Sequence, residues 1–150
     1  MPFKFRFQQI LQICIHEENE VKNQLAKKDG QIAEANAEVK KFKDEYSEAL
    51  QNKIQDLQRG EMLKLQMYPA YLARLQKSWE FYEEELERLM KQREKIMSEL
   101  LEKRRNRKTY EKMKEKDELI WQKEQQKREQ KNLDEFGNRQ KKLHGEDSDA

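Results

Sequence analysis

Gln58-Arg59-Gly60-Glu61, running on to Tyr68-Pro69, decides the fold of this 150-residue chain. On both sides of it the sequence reads as long amphipathic helix, and nowhere else between Lys4 and Arg139 do a glycine and a proline lie so close together. Gly60 can take the left-handed conformation that closes a helix. Pro69 has no amide hydrogen to donate and is tolerated best in the first turn of the next helix. The stretch reads as a hairpin bend, and the fold class it predicts is all-α, an antiparallel two-helix coiled-coil hairpin.

Working outward from the bend, apolar residues recur in alternate steps of four and three. In the first helix they are Phe7, Leu11, Cys14, Val21, Leu25, Ile32, Ala35, Val39, Phe42, Tyr46 and Ala49, with Glu18 and Lys28 the polar members of the series. A seam held in phase over about six heptads argues for a coiled coil. Past Ala49 the apolar residues move to Leu50, Ile54 and Leu57, which predicts an offset in the seam before the turn. Asp29-Gly30 falls inside the run, but the seam continues in phase, so the helix is expected to continue. The second helix carries Leu65, Tyr68, Leu72, Leu75, Trp79, Tyr82, Leu86, Leu89, Ile96 and Leu100, with Arg93 the polar interruption. Glu84 with Arg88, Glu87 with Lys91 and Glu99 with Lys103 are spaced for ion pairs on an outer face. After Leu101 the seam thins to Tyr110, Met113, Ile120, Trp121, Leu133 and Phe136.

The expected boundaries are helix 1 over about 4–58, a turn over about 59–68, and helix 2 from 62 or 69 to about 140. Residues 1–142 form a single hairpin in this reading, and 143–150 a disordered tail. At about 1.5 Å per residue the two helices would span roughly 80 and 115 Å, so the stretch from about Gln125 to Arg139 projects beyond its partner. A mostly charged helix alone in water is marginal, which makes that stretch a candidate binding element. Phe3, Phe5 and Phe7 alternate with Lys4 and Arg6 and are expected to anchor the start of helix 1 as an aromatic cluster. Near the bend aromatic residues are in excess. With Leu65 and Leu72 at a positions, Tyr71 falls at g and Phe81 at c, both expected to be partly exposed.

Composition excludes much else. With 41% charged and 35% hydrophobic residues, a compact globule has too little to bury. The formal charge of +2 makes no case for nucleic acid, although Lys103 to Lys131 holds twelve basic residues against six acidic. That run reads as a solvated face or, alternatively, as a surface for an anionic partner such as RNA. Cys14 is the only cysteine, so no intrachain disulfide is possible and a reducing compartment is expected. Ile10 to Ile15 is too short, and too broken by Gln12, for a signal peptide, and no segment approaches a membrane span. His16 and His144 are too few for a zinc site, no phosphate-cradling glycine loop occurs, and Glu83-Glu84-Glu85 point in different directions around a helix. The chain is expected to be no enzyme and to hold no metal or cofactor.

Three stretches resemble a known family. Phe5-Arg6-Phe7 with Ile10-Leu11, Gly60 followed by Tyr68 and Tyr71-Leu72-Ala73-Arg74-Leu75, and Glu129-Gln130-Lys131-Asn132-Leu133-Asp134-Glu135 are similar to the flagellar export protein family FliJ. Glu129 to Glu135 is the most specific of them. The resemblance covers nearly the whole chain. It implies a stalk-like coiled coil, monomeric when free, in the cytoplasm at the inner face of the cell membrane. Its implied partners are the hexameric flagellar export ATPase, the export gate membrane protein and export chaperones. By the same resemblance the ATPase ring would meet Phe5, Phe7, Leu11, Leu133, Asp134, Glu135 and Phe136. The export gate would meet Phe42, Tyr46, Tyr71, Leu75 and Tyr82. Pro69 departs from the polar residue usual there and could delay or kink the start of helix 2. Two other readings stay open, a structural coiled coil that homodimerises and the equivalent stalk of a related type III secretion system.

Overall fold

The computed structural model of the protein describes residues 2–148. The chain runs through α1 (Gln8–Arg59), the short α2 (Met62–Leu65) and α3 (Tyr68–Ser148), with no strand among the described residues. α1 and α3 pack against each other as a hairpin. Their contacts divide into two units, Glu17–Glu102 and Met1–His16 with Lys103–Ala150.

In the Glu17–Glu102 unit the bend is closed by the backbone. Gly60 has φ +70°, its N–H donates to the carbonyl of Leu57 at 3.3 Å, and the N–H of Glu61 donates to Asp56 at 3.1 Å. These are the two bonds of a Schellman motif, which satisfies carbonyls the last turn would leave bare. Pro69 is the second residue of α3, where its missing N–H removes no helical bond, and α3 starts there without delay. The expected turn contains α2, whose Leu65 N–H donates to Glu61 at 3.2 Å.

Side chains hold the bend as well. The buried Tyr68 hydroxyl donates to the buried Asp56 carboxylate. That hydrogen bond first, and burial second, push the Tyr68 hydroxyl above its ordinary range. A folded-state value raised above the unfolded one gives stability that is complete below about pH 10 and lost as pH rises through the folded value. The stability difference between the wild type and Tyr68→Phe is therefore expected to shrink above about pH 10, measured by urea unfolding at stepped pH.

Asp56 also corrects the expected seam. Leu50, Ile54 and Leu57 are exposed, at 38%, 58% and 63%, whereas Lys53 is half-buried and Asp56 buried. The heptad phase therefore runs on through Ala49, Lys53 and Asp56 with no offset. Phase prevails over apolarity because Tyr68 supplies the hydrogen bond that a buried carboxylate needs. From Phe7 to Ala49 and from Leu65 to Leu100 the other residues read as seam are all buried or half-buried, whereas in the thinned seam after Leu101 Ile120 is exposed at 55% and its neighbour Trp121 is the half-buried one.

Two of the polar seam positions, Lys28 and Arg93, each bond a residue of the opposite helix that flanks the other. Lys28 Nζ donates to Gln92 Oε1 at 2.7 Å, and Arg93 Nε donates to Asp29 Oδ1 at 2.6 Å. Such a layer fixes which residues lie opposite, because slipping the helices by a turn would separate both pairs. It sits beside Gly30, where α1 is unbroken and a Cβ would meet nothing within 4 Å. On the outer face Arg88 bonds Glu85 at 2.7 Å, not the Glu84 that spacing suggested. The two glycines predict opposite outcomes. Gly30→Ala is expected to raise stability by about 0.5–1 kcal/mol, and Gly60→Ala to lower it by about 1–2 kcal/mol, both read from urea midpoints.

In the second unit the expected aromatic anchor is present. Phe3 lies 6.0 Å from Trp121, Phe5 lies 5.9 Å from Phe7, and Phe7 lies 6.2 Å from Tyr110, centroid to centroid. α1 starts at Gln8, later than expected, because the turn before it seats these rings and lets the Gln8 N–H reach Phe5 at 3.2 Å. From residue 122 to 143 every residue of α3 is exposed except Gln125 and Gly137, which are half-buried. The tail expected to lose its helix from Leu143 instead continues as α3 to Ser148, and residues 149 and 150 lie outside the described residues. No proline interrupts it, and one glycine at 145 costs a helix only about 1 kcal/mol.

Candidate functional site

The seven residues implied as the ring contact all belong to the unit Met1–His16 with Lys103–Ala150. They divide by burial into two groups. Phe5 at 7% and Leu11 at 3% are buried, and Phe7 is half-buried against Tyr110, so the N-terminal three form the interior of their own unit. Leu133 at 70% and Phe136 at 61% are exposed, with Asp134 and Glu135 beside them. Among the described ring contacts to the N-terminal segment the one furthest along α3 is at Trp121, and Leu133 lies about 18 Å further along the helix. Three and seven residues beyond Leu133 and Phe136 respectively, Phe136 and the exposed Leu143 extend one helical face. This face can bury apolar side chains on a partner.

This unit also carries the basic excess. Its segments hold seventeen basic residues against eleven acidic, whereas Glu17–Glu102 holds fifteen against nineteen. Arg107 is partly neutralised, donating to Glu111 at 2.8 Å.

The five residues implied as the gate contact all lie in Glu17–Glu102. Leu75 is buried at 4% in a cluster with Ala49, Tyr68 and Leu72, so its side chain is committed to the hairpin. Phe42 stacks on Tyr82 at 5.9 Å, and Tyr46 meets the edge of Trp79 at 5.0 Å. These rings are half-buried, each with one side in the seam. Tyr71 is 36% exposed and Phe81 57%, as their g and c positions predict. An outward aromatic surface therefore exists, made by Tyr71, Phe81 and the open sides of Phe42, Tyr46 and Tyr82. Leu75 contributes to it only by supporting the others.

Sequence reasoning missed the apolar surface at the bend. Ile54, Leu57, Met62, Leu63 and Met67 are all exposed, Leu63 at 86%. The signal was there in the phase of the seam, which assigns Ile54 and Leu57 to the outer face, but their apolarity drew them inward in the reading.

Among the described residues no helix is long and apolar enough to cross a membrane, and no group of three or more His, Cys, Asp or Glu side chains could hold a metal ion. Cys14 is buried in the seam. Comparison with curated proteins gives no match, and neither does comparison with solved structures. Comparison with protein families gives one whose description is Flagellar FliJ protein, and it matches residues 3–145. With nearly the whole chain matched, this protein belongs to the flagellar FliJ family, a family of components of the flagellar export apparatus.

Proposed function

We propose that this chain is a non-enzymatic, stalk-like and escort component of flagellar protein export that works by binding. Its C-terminal helix face, Leu133 and Phe136 with Asp134 and Glu135, engages the ring of the export ATPase and promotes the ring's activity. The aromatic surface of the Glu17–Glu102 unit meets the export gate, with the chain held peripherally at the inner face of the cell membrane. The observation that carries the reading is the exposure of Leu133 and Phe136, 70% and 61%, on a helical stretch that is almost wholly exposed. Isolated charged helices are marginal in water, so a partner that covers this face would also stabilise the helix itself.

Copurification tests it. The full chain is expected to retain the hexameric export ATPase on a column and to raise its rate of ATP hydrolysis; no retention and no stimulation would remove the ring from the account. Mass measurement in solution addresses the competing scaffold reading. Both seams are occupied within one chain, so the free protein is expected at its monomer mass of 18.4 kDa. A concentration-independent dimer would favour the scaffold.

A further inference from the structure

Phe81 stands between two hollows on one face of the Glu17–Glu102 unit. Its ring is 57% exposed and packs edge-on against Tyr82, centroids 5.3 Å apart and planes at 81°. On one side the hollow exists because α1 places Ala35 and Ala37 where larger side chains would fill it, and Glu34, Glu38 and Glu85 form its rim. On the other side Phe81, Tyr82 and Phe42 line a hollow bordered by Arg74 and Lys77. The charges are therefore ordered along the face, cationic, then aromatic, then anionic. From Arg74 to Glu85 is about 16 Å of helix, roughly three turns. Glu85 is partly compensated by Arg88 at 2.7 Å, which leaves Glu34 and Glu38 as the main anionic contribution.

We propose that this face binds an amphipathic helical segment of a partner protein whose charge is bipolar. Apolar residues spaced by three and four cover Phe81, basic residues lie over Glu34 and Glu38, and acidic residues lie over Arg74 and Lys77. A helix laid in an apolar groove is anchored by such spacing, and complementary charge at both ends sets its direction and register. An extended strand is disfavoured because neither helix offers a free row of backbone groups to pair with it. The proposal rests on the reading of this unit as the gate-facing surface and adds the chemistry of the segment that docks there.

Three labelled 16-residue helical peptides test it by fluorescence anisotropy on the full chain. All share one Leu/Phe stripe and differ only in charge: Lys in one half with Glu in the other, Lys throughout, or Glu throughout. The bipolar peptide is expected to bind at least about fivefold tighter than either uniform one, with the advantage shrinking as salt rises. Phe81→Ala is expected to weaken it at least about tenfold while the chain stays fully helical at the assay temperature, because the more exposed side of the ring is lost from the groove and only one edge contact, with Tyr82, is lost from the fold. Glu34→Lys with Glu38→Lys is expected to shift preference to the Glu peptide.

Equal binding of the three peptides, or indifference to Phe81→Ala, would overturn the proposal. So would a wild-type dimer that Phe81→Ala makes monomeric, which would assign the face to a second copy. Phe81-dependent binding to phosphatidylglycerol vesicles without peptide binding would also overturn it, in favour of lipid. The soluble domain of the gate protein is assayed alongside. Gate binding without a bipolar preference defeats this proposal alone, and a bipolar preference without gate binding defeats only the gate assignment.

Discussion

Leu133→Asp combined with Phe136→Asp is expected to abolish stimulation of the export ATPase while leaving helical circular dichroism and the unfolding midpoint unchanged. Both side chains are exposed, 70% and 61%, so aspartate there removes no internal packing. At a partner surface the same change removes two apolar anchors and places two carboxylates where water is excluded. Each anchor in a well-packed interface contributes about 2 kcal/mol or more, so the pair corresponds to a roughly thousandfold loss of affinity. The measurement is ATP hydrolysis by the ring as a function of added chain. A variant that stimulates at the wild-type concentration would show that this face is not the contact. Phe5 and Leu11 give no comparable test, since they are buried in their own unit and changing them would alter folding together with binding.

Leu75→Ala is expected to do the reverse, lowering stability by about 3 kcal/mol without a direct effect on partners. Leu75 is 4% exposed among Ala49, Tyr68 and Leu72, with Phe42, Tyr46, Leu65 and Trp79 packed around them. Truncation leaves a cavity bordered by rings held by their own contacts, Tyr46 on the edge of Trp79 among them, which cannot easily collapse into it. The midpoint in urea should fall clearly, whereas Leu133→Ala should move it by less than about 0.5 kcal/mol. Any loss of gate binding by Leu75→Ala should then follow the unfolded fraction and recover on cooling or with a stabilising change such as Gly30→Ala. A variant of unchanged stability that fails to bind would instead make Leu75 a contact in its own right.

The seam was the most legible part of the chain, because a period of three and four over many turns has few alternative explanations. Gly60 was legible for a different reason: few residues other than glycine adopt φ +70° comfortably, and the turn required one that could. The misreadings share a cause. At Leu50, Ile54 and Leu57 apolarity suggested burial, while the unbroken phase through Lys53 and Asp56 determined it. No sequence rule announces that Tyr68 will reach back to Asp56, and without that hydrogen bond a buried carboxylate looks like an error. Of the polar layer only Lys28 and Arg93 were visible, as separate interruptions of the seam; their partners Gln92 and Asp29 lie beside it, and pairing them requires the register between helices.

The candidate sites were legible in outline. Heptad position predicted that Tyr71 and Phe81 face outward, but the hollows beside Phe81 depend on small residues of the other helix, Ala35 and Ala37, far away in sequence. The residues carried over by resemblance separated once burial was known. Leu133 and Phe136 are available to a partner, whereas Phe5, Leu11 and Leu75 hold the hairpin together.

The chain's return upon itself is tested most directly by spin labels at Gln12 and Lys108, with Cys14→Ser to leave only the two introduced thiols. Both positions are exposed and belong to the same unit. Labelled protein diluted into an excess of unlabelled protein reports only distances within one molecule. Neighbouring antiparallel helices predict a label separation of about 15–25 Å. A single straight helix would put the labels about 145 Å apart and give no measurable coupling, a result that would contradict the hairpin and the assignment of surfaces built on it.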